Sequence, residues 1–270
     1  MELNNTCINR FDLYTGHQVA VVGDNRVRYS PGNDCWYITG STIDVGVCLS
    51  NLGIRTSIIT TLTDNALGTQ IEELLLREGL DVSRVTKKQN AAPLCRSRNS
   101  SPVRYSSDDE TFAADHLIVH SSGTDNAELL LRETKKSKTT LISYDYAENF
   151  TGPHIAEMDG IADIGFFFFD SFTGTVQSFI RQRIRKGMKI AVILIKSQEG
   201  LVCTGNEYQR CRCVRPAGYR IPETQHRFIA GFLSGFCIGY PVKECLILGL
   251  QLSLRTSSLL PPIKNSIFRK

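Results

Sequence analysis

Residues 47–83, VCLSNLGIRTSIITTLTDNALGTQIEELLLREGLDVS, carry the change of period that decides the fold. Ser57–Leu62 (SIITTL) is β-branched and continuously apolar or hydroxylated, which reads as a strand. Ile43–Leu52 precedes it with helical spacing, and Leu67–Glu78 follows with the same spacing. In the second helix Leu74, Leu75 and Leu76 give a wide apolar face, and Gly79 stops it. Helix, strand and helix in direct succession demand parallel strands joined by crossovers. The implied class is α/β, doubly wound, with helices on both faces of one sheet.

The pattern extends outward from this segment. Gln18–Gly23, Leu117–His120, Thr140–Tyr144, Ile164–Phe169 and Lys189–Ile195 read as further strands. Most are apolar throughout, as expected of strands buried on both faces in a parallel sheet. Asn126–Lys136 and Thr175–Arg185 have helical spacing between them. Phe228–Gly235 (FIAGFLSG) is small and apolar, suited to a helix packed tightly in a core. Two polar stretches, residues 26–37 and 91–106, fit the scheme poorly. They suit either a small β lid at one edge of the domain or ordinary surface loops. The expected organisation is an extension at 1–17, one α/β domain at 18–255, and a divergent tail at 256–270.

Composition narrows the function classes. The chain has 270 residues, 41% of them hydrophobic, enough for a substantial core. Its net charge of +4 is mild and its basic residues are scattered over helix faces, which argues against a nucleic-acid partner. Nine cysteines, an odd number with no Cys-x-x-Cys pair, fit reduced thiols in a cytoplasmic protein. The longest apolar run, Phe228–Tyr240, is too short to span a bilayer, so no membrane partner is expected.

Residues 47–83 also resemble a known pattern. Leu52-Gly53, Asp64, Gly68, Leu75, Gly79 and Asp81, with Gly23-Asp24-Asn25 after the first strand, look like the ribokinase (PfkB) family of carbohydrate kinases, in its fructosamine (fructoselysine) branch. The resemblance implies a three-layer α/β/α ribokinase-like core with a mainly parallel sheet and a small β lid. It also implies ATP and Mg²⁺ as cofactors if binding is retained, a sugar or fructosamine ligand, and a homodimer formed through the lid.

The resemblance supplies the candidate site. Asp24 and Asn25 match the family's polar pair after the first strand, Thr39-Gly40 is what remains of its Gly-Gly sugar loop, and Asp44 stands where the family has a sugar-contacting Asn; Asp24 and Asn25 suit a turn as well, and Asp44 suits a first helical turn. Where the family has another sugar-contacting Asp, this chain has Arg28. Gly200 matches the nucleotide loop, with Ile195 and Ser197 in place of its other two residues. The Gly-Ala-Gly-Asp signature of the catalytic helix is replaced by Glu223, Thr224, Gln225 and His226. His226 thus stands where the family's base Asp would be, and Glu223 puts negative charge where phosphate would sit. No metal ligand is assigned. The span between Arg104 and His120 is too short for the family's lid helix and its connections. The sequence therefore points to a carbohydrate-kinase homologue that is catalytically impaired or inactive. An active sugar kinase with atypical site residues, or a regulatory protein on the same scaffold, are the alternatives.

Overall fold

The computed structural model describes residues 17–89, 114–120, 127–136, 140–147, 154–196, 198–213, 224–255 and 259–264. The chain opens with β1 (Gln18–Val22), then a hairpin of β2 (Arg26–Ser30) and β3 (Cys35–Thr39), and α1 (Ser41–Asn51). It continues through β4 (Arg55–Ile59), β5 (Thr61–Thr63), α2 (Ala66–Arg77) and β6 (Thr86–Lys88). The middle holds β7 (His116–His120), α3 (Ala127–Lys136), β8 (Leu141–Asp145), α4 (His154–Glu157), β9 (Ile164–Phe169) and α5 (Gly174–Arg185). The last part comprises β10 (Ile190–Ile195), β11 (Glu199–Thr204), β12 (Glu207–Arg212), α6 (Thr224–Cys237), α7 (Val242–Ser253) and β13 (Ile263–Lys264).

Eight strands form the main sheet in the order β12-β11-β10-β9-β8-β7-β1-β4. From β10 to β4 every pairing is parallel, and β11 and β12 add an antiparallel edge. The expected three-layer α/β architecture is present. Strand alternation divides the apolar residues between two cores. Val19, Val21, Ile118, Phe166, Phe168 and Val192 face α1, α2, α6 and α7. Ala20, Leu117, Val119, Phe167, Phe169 and Ile193 face the other layer, which includes Leu131, Ile155 and Ile180. Burial on both faces explains why IGFFFF in β9 has no polar alternation.

The small residues of α6 have a direct packing role. A Cβ on Gly231 would lie 2.7 Å from the Leu248 carbonyl oxygen and 2.8 Å from Gly249 Cα. The two helix backbones therefore touch at Gly231 and Gly249, with Phe228 and Phe232 fully buried beside them. β11, β12 and α7 were not anticipated from the sequence. Pro241 stands immediately before the first turn of α7, where its missing N–H costs nothing.

Other boundaries moved as well. SIITTL is not one strand: β4 ends at Ile59, and Thr61–Thr63 pair in parallel with Thr86–Lys88 in a separate small sheet. The break falls at Thr60, whose hydroxyl donates to the Gly23 carbonyl at 2.8 Å while its own carbonyl accepts from Thr86 N at 3.0 Å. Residues 26–39 do form an antiparallel hairpin, but its third strand is β13, from the segment expected as a tail. Leu260 and Ile263 are buried in the same core as Val27 and Ile38. The second expected lid segment, 91–106, and the span expected to have lost a helix lie in or largely in residues outside those described. No described helix is long and apolar enough to cross a membrane.

Candidate functional site

In a doubly wound sheet the strands' C-terminal ends form the natural ligand crevice. Here β1 delivers Asp24 and Asn25, β7 ends on His120, and β8 ends on Asp145. The first turn of α1 contributes Asp44 and the first turn of α6 contributes His226. Two glycines allow these segments to converge. Gly40, at φ 121°, would place a Cβ 3.0 Å from Asn25 Cα and 3.2 Å from the Asp24 carbonyl oxygen. Gly23, at φ 150°, would place one 2.6 Å from Thr42 Oγ1. Neither position accommodates a side chain without moving a neighbour.

The polar contacts are specific. Asp44 is buried, and its Oδ2 accepts from Thr39 Oγ1 at 3.0 Å and meets His226 Nδ1 at 2.8 Å. With Asp44 ionised, Nδ1 carries the proton and donates, which fixes the ring's orientation and tautomer. Beside it lies a second pair of the same kind. His120 Nδ1 donates to Asp145 Oδ2 at 2.8 Å, both residues are buried, and Asp145 Oδ1 accepts from Ala147 N at 2.8 Å. The rings of His120 and His226 lie edge to face with centroids 6.4 Å apart. Asp24 is buried with Arg26 Nε 3.7 Å from its Oδ2.

Five sequence candidates thus assemble around one crevice, but in different roles. Asn25 donates its amide to Thr60 Oγ1 at 3.0 Å and to the Thr61 carbonyl at 2.7 Å, tying the end of β1 to the end of β4. Gly40 serves the close crossing of backbones. Gly200 lies within β11, where a Cβ would meet Leu246 Cδ1 at 2.7 Å, so the missing side chain makes room for α7. Glu223 and Ser197 lie outside the described residues, as does the position that would cap α6. His120, Asp145 and Thr39 were missed. The signal was available, since His120 closes a predicted strand and Asp145 immediately follows another.

The fold is similar to that of known proteins. The ribokinase of Arabidopsis thaliana, solved with ribose and ATP, superposes with a TM-score of 0.71 at 14% identity, covering 94% of this chain and 97% of that one. A fructokinase from Vibrio cholerae O395, solved with fructose, ADP and calcium, gives a TM-score of 0.71 at 13% identity, over 94% and 99% of the two chains. In sequence the chain is 21% identical to fructoselysine 6-kinase of Escherichia coli (strain K12) over 255 residues, 88% of this chain and 96% of that protein. No family model matches it.

The chain has the fold of the ribokinase-like carbohydrate kinases.

Within this fold the imidazole of His226 is held by the buried carboxylate of Asp44. Arg227, next to it in sequence, turns its guanidinium to another use. Nη1 donates to the Arg255 carbonyl at 2.7 Å, and the side chain is buried.

Proposed function

We propose that the chain is a carbohydrate-kinase homologue of the fructosamine type that keeps a polar ligand crevice but is impaired in transferring phosphate from ATP. The observation that carries this reading is the 2.8 Å bond between His226 and Asp44. It engages Asp44, which would otherwise accept sugar hydroxyls, and it puts an imidazole where the family uses a carboxylate base. Ribose, fructose and ATP in the related kinases support sugar and nucleotide as the ligand classes.

Part of the segment that would face Mg²⁺–ATP, Ser197 and residues 214–223, lies outside the described residues. No group of three His, Cys, Asp or Glu side chains among them is arranged to hold a metal ion. Gly200 packs against α7, and Lys196, exposed at φ 46° after β10, is a single cation at that strand end. β2 is an outer strand of the three-stranded sheet, and pairing of two copies at this edge is the assembly we propose.

A second reading draws on the same bond. A carboxylate-oriented imidazole is a competent general base at neutral pH, so an active kinase using His226 is the specific competitor. Calorimetric titration with fructoselysine, combined with a phosphorylation assay using ATP–Mg²⁺, separates the two. Binding without turnover supports impairment. Turnover abolished by His226→Ala establishes the second reading.

A further inference from the structure

We infer that the crevice selects a ligand bearing an acidic group, held by Arg28 against Tyr37; this rests on the ligand-binding part of the reading above. The hairpin's two faces differ sharply. Val27, Tyr29, Trp36 and Ile38 alternate onto one face, where Val27 and Ile38 are buried and Trp36 packs on the core. Arg26, Arg28, Tyr37 and Thr39 occupy the other. Two contacts establish which way that second face looks. Thr39 donates to Asp44 at 3.0 Å, and Arg26 approaches Asp24 at 3.7 Å. Both partners belong to the crevice, so Arg28 and Tyr37, one step further along the same face, overlook its mouth.

Among the described residues, the carboxylates of the crevice already face a partner. Asp24 faces Arg26, Asp44 faces His226, and Asp145 faces His120. Arg28 is exposed and lies over the Tyr37 ring, 5.9 Å from its centroid, and among the described residues it pairs with no carboxylate. A guanidinium resting on an aromatic ring keeps its N–H edge available and loses little freedom on binding, which suits two-point recognition of a carboxylate or phosphate. A carboxylate in place of Arg28 would compete with such a ligand. The guanidinium attracts it.

The test uses a matched pair that differs by one charge, fructosylglycine and fructosylglycinamide, titrated calorimetrically into the full chain. The acid should bind about tenfold more tightly than the amide at low salt, and the gap should shrink as salt rises. In Arg28→Gln the acid should fall to the level of the amide while amide affinity is unchanged, which also shows that the crevice is intact. Arg28→Lys should keep part of the preference. Equal binding of acid and amide by the wild-type chain, or a preference that survives Arg28→Gln, overturns the inference and leaves the fructosamine reading standing. Failure of the wild type to bind either compound overturns both.

Discussion

Asp44 and His226 stand 182 residues apart in sequence and 2.8 Å apart in space. The bond ties the first turn of α1 to the first turn of α6, two helices packed on the same face of the sheet. Asp44 is buried, so its carboxylate depends on His226 and Thr39 to replace water.

Asp44→Ala is therefore expected to destabilise the fold by about 1–3 kcal/mol, the range for removing one partner of a buried charged hydrogen bond. The loss should be smaller in a His226→Ala background. A double-mutant cycle in urea should give a coupling of about 1 kcal/mol. Strict additivity would mean that the two side chains do not interact in solution.

Gly231→Ala tests the contact between α6 and α7. The new methyl would meet the Leu248 carbonyl and Gly249 Cα well inside normal contact distance, and both are backbone atoms that cannot rotate away. A loss of about 1–3 kcal/mol is expected from overpacking, despite alanine's better helix propensity. Gly174→Ala is the control. Gly174 opens α5 after the Thr173 cap and has nothing within 4 Å of its Cβ position, so thermal denaturation should show no loss there.

The α/β core was legible because most sheet strands are buried on both faces and the helices between them carry apolar faces. The site was only partly legible. Asp24, Asp44 and His226 could be placed by pattern, but each is an ordinary polar residue until the sheet brings three strand ends and two helix starts together. The pairing of His226 with Asp44 is a tertiary fact with no local trace. Gly200 shows the converse case: a glycine that matched a nucleotide-loop motif is explained by the bulk of Leu246. The hairpin's partner was hidden for a similar reason, since β13 is two residues long and carries no strand signal of its own.

His116 should shape the acid limb of stability. Burial in β7, where Nε2 lies 2.6 Å from Ser143 Oγ, lowers its pKa from 6.5 to about 4, chiefly by desolvation. Above pH 6.5 neither state is protonated at this residue and the fold bears no penalty. As pH falls from 6.5 toward 4 the unfolded chain takes up a proton that the folded chain refuses, and stability is lost, by about 3 kcal/mol in all. His116→Gln, which keeps a donor for Ser143, should flatten this part of the pH profile measured by urea unfolding. An unchanged slope between pH 6.5 and 4 would assign the acid sensitivity to other groups.

The last prediction concerns chemistry. The wild-type chain should phosphorylate no fructosamine above a no-protein control. Restoring the family's base alone, His226→Asp, should not rescue turnover, and the structure adds a reason beyond Glu223 and Gln225. Asp44 Oδ2 now lies 2.8 Å from His226 Nδ1, so an aspartate there would set one carboxylate against another that is buried. Like charges at that separation raise the pKa of one member, and a protonated carboxyl is no base. Rescue therefore requires Asp44→Asn, which returns the family's residue at that position and turns repulsion into a hydrogen bond. Glu223→Gly and Gln225→Gly are needed in addition to reopen close approach of phosphate to the backbone. The fourfold variant should show measurable ATP-dependent phosphorylation where the single His226→Asp variant shows none. If His226→Asp alone is active, Asp44 does not constrain the base. If the wild type turns over and His226→Ala does not, the Asp44–His226 pair is itself the base and the impairment reading is wrong.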